Sequence, residues 1–384
     1  MTTSTEPRLE VIDSDGHVVE PDSLWEDYSE PAFRDQLAQP GGGYVQVTAM
    51  QRAYGGSAAA AVQERATGEH WGEIVGESWE EAARDKMGRP GGYDPNARLV
   101  DMDDEGIDVA VLYPTAMLSW IEEPDVFAAA CRAYNAWLRD YCAAAPSRLY
   151  GAGIVPLQDV EAAIAEMERC VNALGFKAVM IRPAPYVSGT KLNDPVYDPF
   201  WAAAAALGCP IGVHPSPHGD MDNACRLLDL YDGVSNPTEG LALRQGLNNA
   251  IDLQLAVGYF TLGGICERHP NLRVAFLEGT GGWMASMLER FDHQMEIFGS
   301  RDQRTLPSEL FARQCMVSFD PDEVALAFNA QVLGADKILW ASDYPHPDAK
   351  IPGVVKELEE AVGGLPVESQ RLIVGATARA FYRL

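Results

Sequence analysis

The sequence is poor in positive charge. Its 384 residues include 29 Lys and Arg against 56 Asp and Glu, which gives a formal net charge of -27 at pH 7. Nucleic acids and anionic membrane surfaces attract proteins of the opposite sign, so we expect neither as a partner. A small acidic substrate is still allowed, because an arginine or a metal ion inside a closed pocket overrides the net field locally.

Long apolar runs are missing as well. No stretch approaches the roughly 18 or more residues that span a bilayer. The first residues, MTTSTEPRLEVIDSDGH, contain no basic stretch followed by an apolar core. We therefore expect a cytoplasmic protein that does not enter the membrane.

Several motifs that would indicate other classes of protein are absent. The seven cysteines are widely spaced, form no CxxC pair and lie in apolar surroundings, which is typical of reduced core residues rather than of disulfides or a zinc site. The GTGGW that follows one apolar run lacks the spacing and the Lys-Ser/Thr of a phosphate-binding loop. A GxSxG nucleophile elbow is not found either.

What the sequence does contain is a repeated alternation of strands and helices. Eight short apolar runs lack strict polar alternation, as strands covered on both faces do, and most are separated by segments with helical spacing. Strand then helix, eight times, predicts a (β/α)₈ TIM barrel as one domain over residues 1–384. The runs are LEVIDSD, IDVAVLYP, LYGAGIVP, FKAVMIRP, CPIGVH, LRVAFLE, CMVSFD and KILWASD.

Two long insertions distort this repeat, at about residues 26–98 and 215–272. A structureless loop of such length is uncommon in a compact domain, so we expect helices in both. Insertions after barrel strands lie on the rim that holds the site, and both segments are therefore candidate lids and substrate walls. The final segment, ATARAFYRL, is expected to form a helix on the outside of the barrel.

Polar residues stand where the apolar runs end. Asp13, Asp15 and His17 are spaced by two, so in a strand they project from one face. His214 follows the fifth run and Asp343 the eighth. The carboxyl ends of barrel strands meet at one rim, and imidazole and carboxylate ligands suit Zn²⁺, Mn²⁺ or Fe²⁺.

The sequence therefore predicts a metal site made of Asp15, His17, His214 and Asp343. For Asp13 we favour a buried structural carboxylate bonded to nearby backbone. Each of the other four also has an ordinary structural interpretation, as a loop start, a turn residue or a core histidine. Their joint placement at the strand ends favours the metal site.

The chain resembles the amidohydrolase superfamily, in the branch that includes the aminocarboxymuconate semialdehyde decarboxylase-like enzymes. The resemblance covers nearly the whole sequence. It is carried, in this order, by IDSDGHVVEPDSLWEDY, NDPVYDPFWAAAAALGCPIGVHPSP, HPNLRVAFLEGTGGWMASMLERFD and KILWASDYPHPD.

The resemblance implies a metal-dependent enzyme that forms a homodimer. The family's HxH motif falls on Asp15 and His17, so its first histidine is replaced by a carboxylate. On the sixth strand many relatives carry a histidine used for proton handling, and this chain has Glu278. Binuclear relatives carry a carbamylated lysine on the fourth strand, but Lys177 lies at the wrong end of that strand, so we expect one divalent ion per chain.

Roles for further residues follow from this chemistry. Asp343 is expected to act as both ligand and proton shuttle, as the resemblance implies. Glu278 is a candidate base or acid beside the metal, or alternatively a rim carboxylate paired with a cation. His346 and His218 are placed on loops over the mouth, where either is a candidate proton donor.

Four residues are candidates for contact with a small-molecule substrate. Arg182 ends an apolar strand, where a guanidinium grips a carboxylate or forms a structural salt bridge. Trp283, Tyr344 and Trp25 flank the predicted ligands and are candidates for an aromatic wall, with core packing as the alternative.

The reaction that we favour is non-oxidative decarboxylation of a small aromatic or unsaturated carboxylic acid. A second hypothesis keeps the metal but has its bound water attack an ester, lactone or amide, with Asp343 as general base. A third is a non-catalytic barrel that binds a ligand.

Overall fold

Eight parallel strands form one sheet in which every strand pairs with the next along the chain. The computed structural model describes residues 8–38, 88–118, 121–184, 187, 189–216, 237–299, 305–346 and 349–384, with the backbone alone over 237–245. The strands are β1 (Ile12–His17), β2 (Val109–Tyr113), β3 (Leu149–Ile154), β4 (Ala178–Ile181), β5 (Ile211–Val213), β6 (Val274–Phe276), β7 (Cys315–Phe319) and β8 (Ile338–Trp340). Each of the eight predicted runs supplies one strand.

The sheet closes into a barrel between β1 and the residues after β8. The Asp343 backbone N–H donates to the Asp15 carbonyl over 3.2 Å, and the His17 N–H donates to the Tyr344 carbonyl over 2.6 Å. The predicted (β/α)₈ barrel is confirmed.

Helices cover the outside of the barrel and part of its mouth. Sequence signals explain several of their ends: the Asp94 and Asp159 side chains cap the helices that follow them, and Gly106 and Gly208 end helices with φ of 82° and 61°. The helices are α1 (Ser23–Tyr28), α2 (Arg34–Leu37), α3 (Pro95–Glu105), α4 (Pro124–Cys142), α5 (Val160–Asn172), α6 (Asp198–Leu207), α7 (Pro237–Phe260), α8 (Ile265–Arg268), α9 (Met284–Phe298), α10 (Pro307–Gln314), α11 (Leu326–Val332), α12 (Val354–Val362), α13 (Val367–Arg371) and α14 (Thr377–Tyr382).

Shorter turns connect these helices. Single 3₁₀ turns occupy Pro90–Gly92, Ala116–Leu118, Pro195–Tyr197 and Ala335–Lys337, and a π-helical turn, Leu372–Ala376, joins α13 to α14.

The apolar core has two parts, one between strands and helices and one inside the barrel. Alternate residues of β2 show the division, since Val109 and Val111 face the interior and Ala110 and Leu112 face the helices. The interior part also contains Phe381 and Tyr382. The expectation that the C-terminal helix packs only on the outside is therefore wrong: α14 places these two rings in the barrel core.

Tyr382 reaches far into the barrel. Its hydroxyl lies 3.1 Å from the hydroxyl of Tyr113 and donates to the carbonyl of Ser14 over 3.3 Å. The barrel is thus filled from its amino-terminal end.

Both predicted insertions contain helices where the structure describes them. In the first, α1, α2 and the start of α3 lie within residues 26–98 or at their border, and residues 39–87 lie outside the described part. In the second, α7 and α8 are described, and residues 217–236 are not. Among the described residues, no helix is long and apolar enough to cross a membrane.

The described cysteines behave as the sequence predicts. Each is buried and carries a free thiol: Cys131, Cys142, Cys170, Cys209, Cys266 and Cys315. Cys225 lies outside the described residues.

Candidate metal centre and active site

Strand β1 presents three buried titratable side chains. Asp13, Asp15 and His17 are at most 1% exposed. The Asp13 carboxylate accepts hydrogen bonds from the backbone N–H and the hydroxyl of Ser342, over 3.0 and 2.6 Å. Asp13 thereby links β1 to the segment after β8, which is the structural role expected from the sequence.

The two predicted histidine ligands are held in one orientation by backbone carbonyls. Nδ1 of His17 lies 2.7 Å from the carbonyl oxygen of Pro114, and Nδ1 of His214 lies 2.7 Å from that of Pro215. A carbonyl only accepts, so Nδ1 carries the proton in both rings. Each Nε2 atom therefore presents a lone pair, the arrangement that orients metal-binding histidines.

These lone pairs converge with two carboxylates at the mouth of the barrel. Nε2 of His17 lies 3.6 Å from Oδ1 of Asp15 and 3.4 Å from Oδ1 of Asp343, and Nε2 of His214 lies 3.8 Å from Oδ1 of Asp15. Two ligand atoms that are each about 2.1 Å from one ion are separated by roughly 3.0–3.5 Å, so these spacings fit a common metal ion with small adjustments.

Three of these atoms are buried without a hydrogen bond. Within the part of the chain that the structure describes, Oδ1 of Asp15, Nε2 of His17 and Nε2 of His214 have no hydrogen-bond partner. Buried polar atoms are rarely left unsatisfied, and each that is needs an explanation such as an ion. The donor set therefore fits one divalent metal ion, held by Asp15, His17 and His214 with Asp343 beside them.

Burial shifts the protonation equilibria of the same residues. It raises the pKa of the Asp15 carboxyl well above its usual value, with the charges of Asp13 and Asp320 adding to the effect. It lowers the pKa of His17 well below its usual range, and that of His214 to about 3. The imidazoles are thus neutral and able to bind a metal at neutral pH, and a cation would stabilise the ionised carboxylate.

Asp343 and His346 form a hydrogen-bonded pair beside this cluster. Nδ1 of His346 lies 2.7 Å from Oδ1 of Asp343, and its Nε2 lies 2.9 Å from the hydroxyl of Thr115. The His346 ring stacks on that of His17, with centroids 4.0 Å apart. The pair connects the predicted ligands to a group that accepts and releases protons.

Glu278 lies on the other side of His214. Its Oε2 is 3.0 Å from Nε2 of His214, and its Oε1 accepts a hydrogen bond from Asn249 over 3.1 Å. The backbone of Glu278 has a φ of 47°, in the left-handed region. The structure thus places Glu278 next to a predicted ligand, as its position on the sixth strand indicates.

Of three further predicted site residues, two have described contacts and one does not. Arg182 follows β4, is 6% exposed and interacts electrostatically with Asp252 of α7. Trp283 is partly buried, and its Nε1 donates to the carbonyl of Gly279 over 2.9 Å. His218 lies outside the described residues.

Two of the aromatic residues pack as core. Trp25 is 1% exposed and belongs to the core between strands and helices. The ring of Tyr344 lies under the guanidinium of Arg98 at 4.3 Å, and its hydroxyl donates to Asp101. These contacts are of the core-packing kind that the sequence left open as the alternative.

The sequence did not reveal the role of Arg98. This arginine of α3 is 2% exposed, and its Nη1 donates to the carbonyls of His17 and Tyr344 over 2.8 and 3.4 Å. A Cβ at Gly16 would lie 2.5 Å from Nη2 of Arg98, so a larger residue there would displace the guanidinium. The DGH sequence in the first motif carries this signal, but it does not identify the partner.

Helix α7 contributes further buried polar groups that the sequence did not single out. Asn248, Asn249 and Asp252 are all at most 7% exposed. Burial raises the pKa of Asp252 to about 7, against the opposite effect of the Arg182 charge. The carboxyl of Asp252 therefore titrates near neutral pH and lies over the mouth of the barrel.

Comparison with known proteins identifies the family. The model of the family described as Amidohydrolase matches residues 12–384. The chain belongs to the amidohydrolase family. The resemblance inferred from the four motifs is confirmed.

The similar proteins of this amidohydrolase include decarboxylases. It is 26% identical over 301 residues to 2-amino-3-carboxymuconate-6-semialdehyde decarboxylase of Dictyostelium discoideum, covering 76% of this chain and 77% of that protein. It is 27% identical over 269 residues to gamma-resorcylate decarboxylase of Rhodococcus jostii, covering 65% of this chain and 77% of that protein.

A solved structure shows the same fold. A dihydroxybenzoic acid decarboxylase from Polaromonas sp. JS666, with bound manganese and the inhibitor 2-nitroresorcinol, has a TM-score of 0.66 and 18% identity. The match covers 98% of each chain.

Proposed function

We propose that this amidohydrolase is a metal-dependent, non-oxidative decarboxylase of a small aromatic carboxylic acid. The observation that carries the proposal is the clustering of Asp15, His17 and His214 at one buried point at the mouth of the barrel, with Oδ1 of Asp343 3.4 Å from Nε2 of His17. The class of reaction is supported by the relatives, which act as decarboxylases of 2-amino-3-carboxymuconate-6-semialdehyde and of gamma-resorcylate.

We propose one divalent ion per chain, and Mn²⁺ ahead of Zn²⁺ or Fe²⁺. Carboxylate ligands suit Mn²⁺, and the dihydroxybenzoic acid decarboxylase binds manganese. When bound, the ion supplies Lewis-acid chemistry, because it binds a carboxylate and a neighbouring oxygen and withdraws electron density from them.

Asp343 is placed to deliver the proton that decarboxylation requires. As a carboxylic acid it transfers its proton to the ring carbon that bears the substrate carboxylate. The bond between that carbon and the carboxylate then breaks, its electron pair returns to the ring, and CO₂ leaves. His346, 2.7 Å from Oδ1 of Asp343, returns a proton from solvent to the Asp343 carboxylate.

Arg182 is proposed to orient the substrate. It follows β4 on the same rim as the metal ligands, and a guanidinium binds planar anionic oxygens in a fixed geometry. Trp283 follows β6 and is partly buried, which suits an aromatic side chain that contacts a flat ring. Both assignments remain predictions.

The experiment that tests the proposal measures CO₂ release. Mn²⁺-loaded protein is incubated with gamma-resorcylate, other hydroxybenzoates and a set of enoic acids, and the product is identified by mass spectrometry. We expect CO₂ and the matching product with one hydrogen in place of the carboxylate. The proposal fails if no acid releases CO₂.

A parallel incubation in ¹⁸O-labelled water separates decarboxylation from hydrolysis. Esters, lactones and amides are offered to the same protein. Label in a product acid, together with no CO₂ from any substrate, would replace the decarboxylase with the hydrolase. If neither reaction occurs and His214→Ala retains the metal, the non-catalytic barrel becomes the better account.

We further propose that the protein is a cytoplasmic homodimer. The dimer follows from the family resemblance. It is supported by large apolar side chains on two neighbouring outer helices, since Phe298 of α9 and Phe328 of α11 are 78% and 62% exposed. Apolar surface of this kind often marks an interaction site. Sedimentation equilibrium measures the mass in solution.

A further inference from the structure

The contact between His214 and Glu278 is unusual for two side chains alone. Nε2 of His214 and Oε2 of Glu278 are 3.0 Å apart, close enough for a hydrogen bond. Nδ1 of His214 donates to the Pro215 carbonyl, so the neutral ring presents a lone pair at Nε2. Nε2 then lies close to a carboxylate oxygen, and both atoms are acceptors.

Protonation of His214 does not resolve this contact. A hydrogen on Nε2 would point along the ring axis, yet Nε2 forms no hydrogen bond within the described residues despite the 3.0 Å separation. The oxygen therefore lies to the side of the direction in which the hydrogen would point. A hydrogen bond needs that alignment, and it weakens steeply when the angle falls below about 120°.

A shared ion accounts for both the distance and the misalignment. Two ligand atoms that are each about 2.1 Å from one metal and subtend an angle near 90° are roughly 3.0 Å apart. Each ligand atom directs its lone pair at the metal, so the other ligand atom lies well to the side of that direction. Nε2 of His214 and Oε2 of Glu278 have this relationship.

Glu278 is held in place by neighbouring groups. Its backbone N–H donates to the hydroxyl of Ser318 over 3.2 Å, and Asn249 donates to Oε1 over 3.1 Å. Its φ of 47° is one that side-chain-bearing residues rarely adopt. Such conformations persist where surrounding structure holds them, often at functional sites. The contacts turn Oε2 towards His214.

We propose that Glu278 is a further ligand of the metal ion, through Oε2. The inference rests on the proposed metal-dependent function and extends it. The clustered ligand atoms are those of Asp15, His17 and His214, so the Glu278 carboxylate would move towards Asp15 and His17 when the ion binds. With Asp343 as well, the site would then have three carboxylates and two imidazoles. Oxygen ligands favour Mn²⁺, whereas imidazole-rich sites suit Zn²⁺. Glu278 is thus expected to set the preference of the site for Mn²⁺.

The test measures metal binding rather than activity. Equilibrium dialysis with elemental mass spectrometry gives the dissociation constants of Mn²⁺ and Zn²⁺ for the wild type, Glu278→Gln and Glu323→Gln. Glu323 accepts from the backbone N–H groups of Gly281 and Gly282, and burial raises its pKa to about 7. Dialysis at a pH well above that value makes Glu323→Gln a matched control, because this partly buried carboxylate then also loses one negative charge. A crystal structure of the Mn²⁺-loaded wild type gives the distance from Mn²⁺ to Oε2.

For Glu278→Gln we expect the Mn²⁺ dissociation constant to rise at least about tenfold, and the Zn²⁺ constant to rise less. The amide of the new glutamine would donate to Nε2 of His214 and compete with the ion. Glu323→Gln should change both constants less than threefold. In the loaded structure, Oε2 should lie within about 2.5 Å of Mn²⁺.

Other outcomes overturn the inference. An equal loss of both metals would show that Glu278 contributes only charge or positions His214. An unchanged Mn²⁺ constant, or an Mn²⁺–Oε2 distance beyond 3 Å, would show that it is not a ligand. Absence of metal binding by the wild type would instead defeat the proposed function itself, so the two failures are distinguishable.

Discussion

His346 donates to Asp343 over 2.7 Å while its ring stacks on that of His17 at a centroid distance of 4.0 Å. One side chain thus contacts both a predicted metal ligand and the residue proposed to move the proton. Its other nitrogen, Nε2, lies 2.9 Å from the hydroxyl of Thr115, two residues past Tyr113, the last residue of strand β2. A route for protons therefore runs along the mouth beside the metal centre.

Replacement of His346 by glutamine is predicted to lower kcat by about 10²–10⁴, the usual contribution of a general acid or base. KM and metal content should change little, because the ligands His17 and His214 keep their carbonyl partners. Thr115→Val removes only the distal hydrogen bond and should have a smaller effect. Steady-state kinetics and elemental analysis check both variants. Loss of metal in proportion to activity would identify His346 as a ligand instead.

The predicted ligand His214 is tested by its removal. His214→Ala should weaken metal binding by at least about 100-fold, more than changes to outer-shell partners usually do. His269→Ala is the control, since that imidazole bonds to Asp198 over 3.2 Å at the surface of the barrel. Elemental mass spectrometry after dialysis measures both variants. Full metal occupancy in His214→Ala would remove this histidine from the site.

The strands and most of the site were predictable because their signals are local. Apolar runs mark the strands. Asp15 and His17 lie in the last three residues of β1, His214 directly follows β5, and Asp343 lies three residues after β8. Contacts between distant segments were not predictable. Arg98 reaches the carbonyl of Tyr344, 246 positions away, and Asn249 meets Glu278 because α7 crosses the mouth. Their roles depend on where an inserted helix lies, and no spacing in the sequence encodes that position.

Arg98 is predicted to hold the two halves of the metal site together. Arg98→Met leaves the carbonyls of His17 and Tyr344 without this donor and removes the cation 3.9 Å from Asp13. Loss of one partner of a buried charge pair costs about 3–5 kcal/mol. Urea unfolding measures the change. Arg132→Met breaks an exposed pair with Glu30 and should cost only about 0–1 kcal/mol; equal costs would refute the assigned role.

The final prediction concerns Asp15, whose buried carboxyl is expected to destabilise the metal-free protein. Its folded pKa is raised above the unfolded value, so the folded state binds more protons and stability falls as pH rises above about 4. Asp15→Asn removes this loss. In the presence of a chelator the variant should be more stable than the wild type by on the order of 1–3 kcal/mol at pH 8, with a smaller gain at pH 5.

Asp198→Asn is a control for which we expect the opposite change in stability at high pH. Burial opposes ionisation of Asp198, but hydrogen bonds from Arg268 and His269 lower its pKa overall. It therefore stabilises the fold above its unfolded pKa, and that contribution is lost as pH falls through the folded pKa. Its replacement should destabilise the protein at pH 8. Thermal unfolding of both variants across pH 5–8 makes the comparison. The gain in stability of Asp15→Asn should be accompanied by weaker metal binding, because the carboxylate that destabilises the metal-free fold is the one that binds the cation. A destabilised Asp15→Asn in chelator would mean that this carboxylate is satisfied by the protein alone.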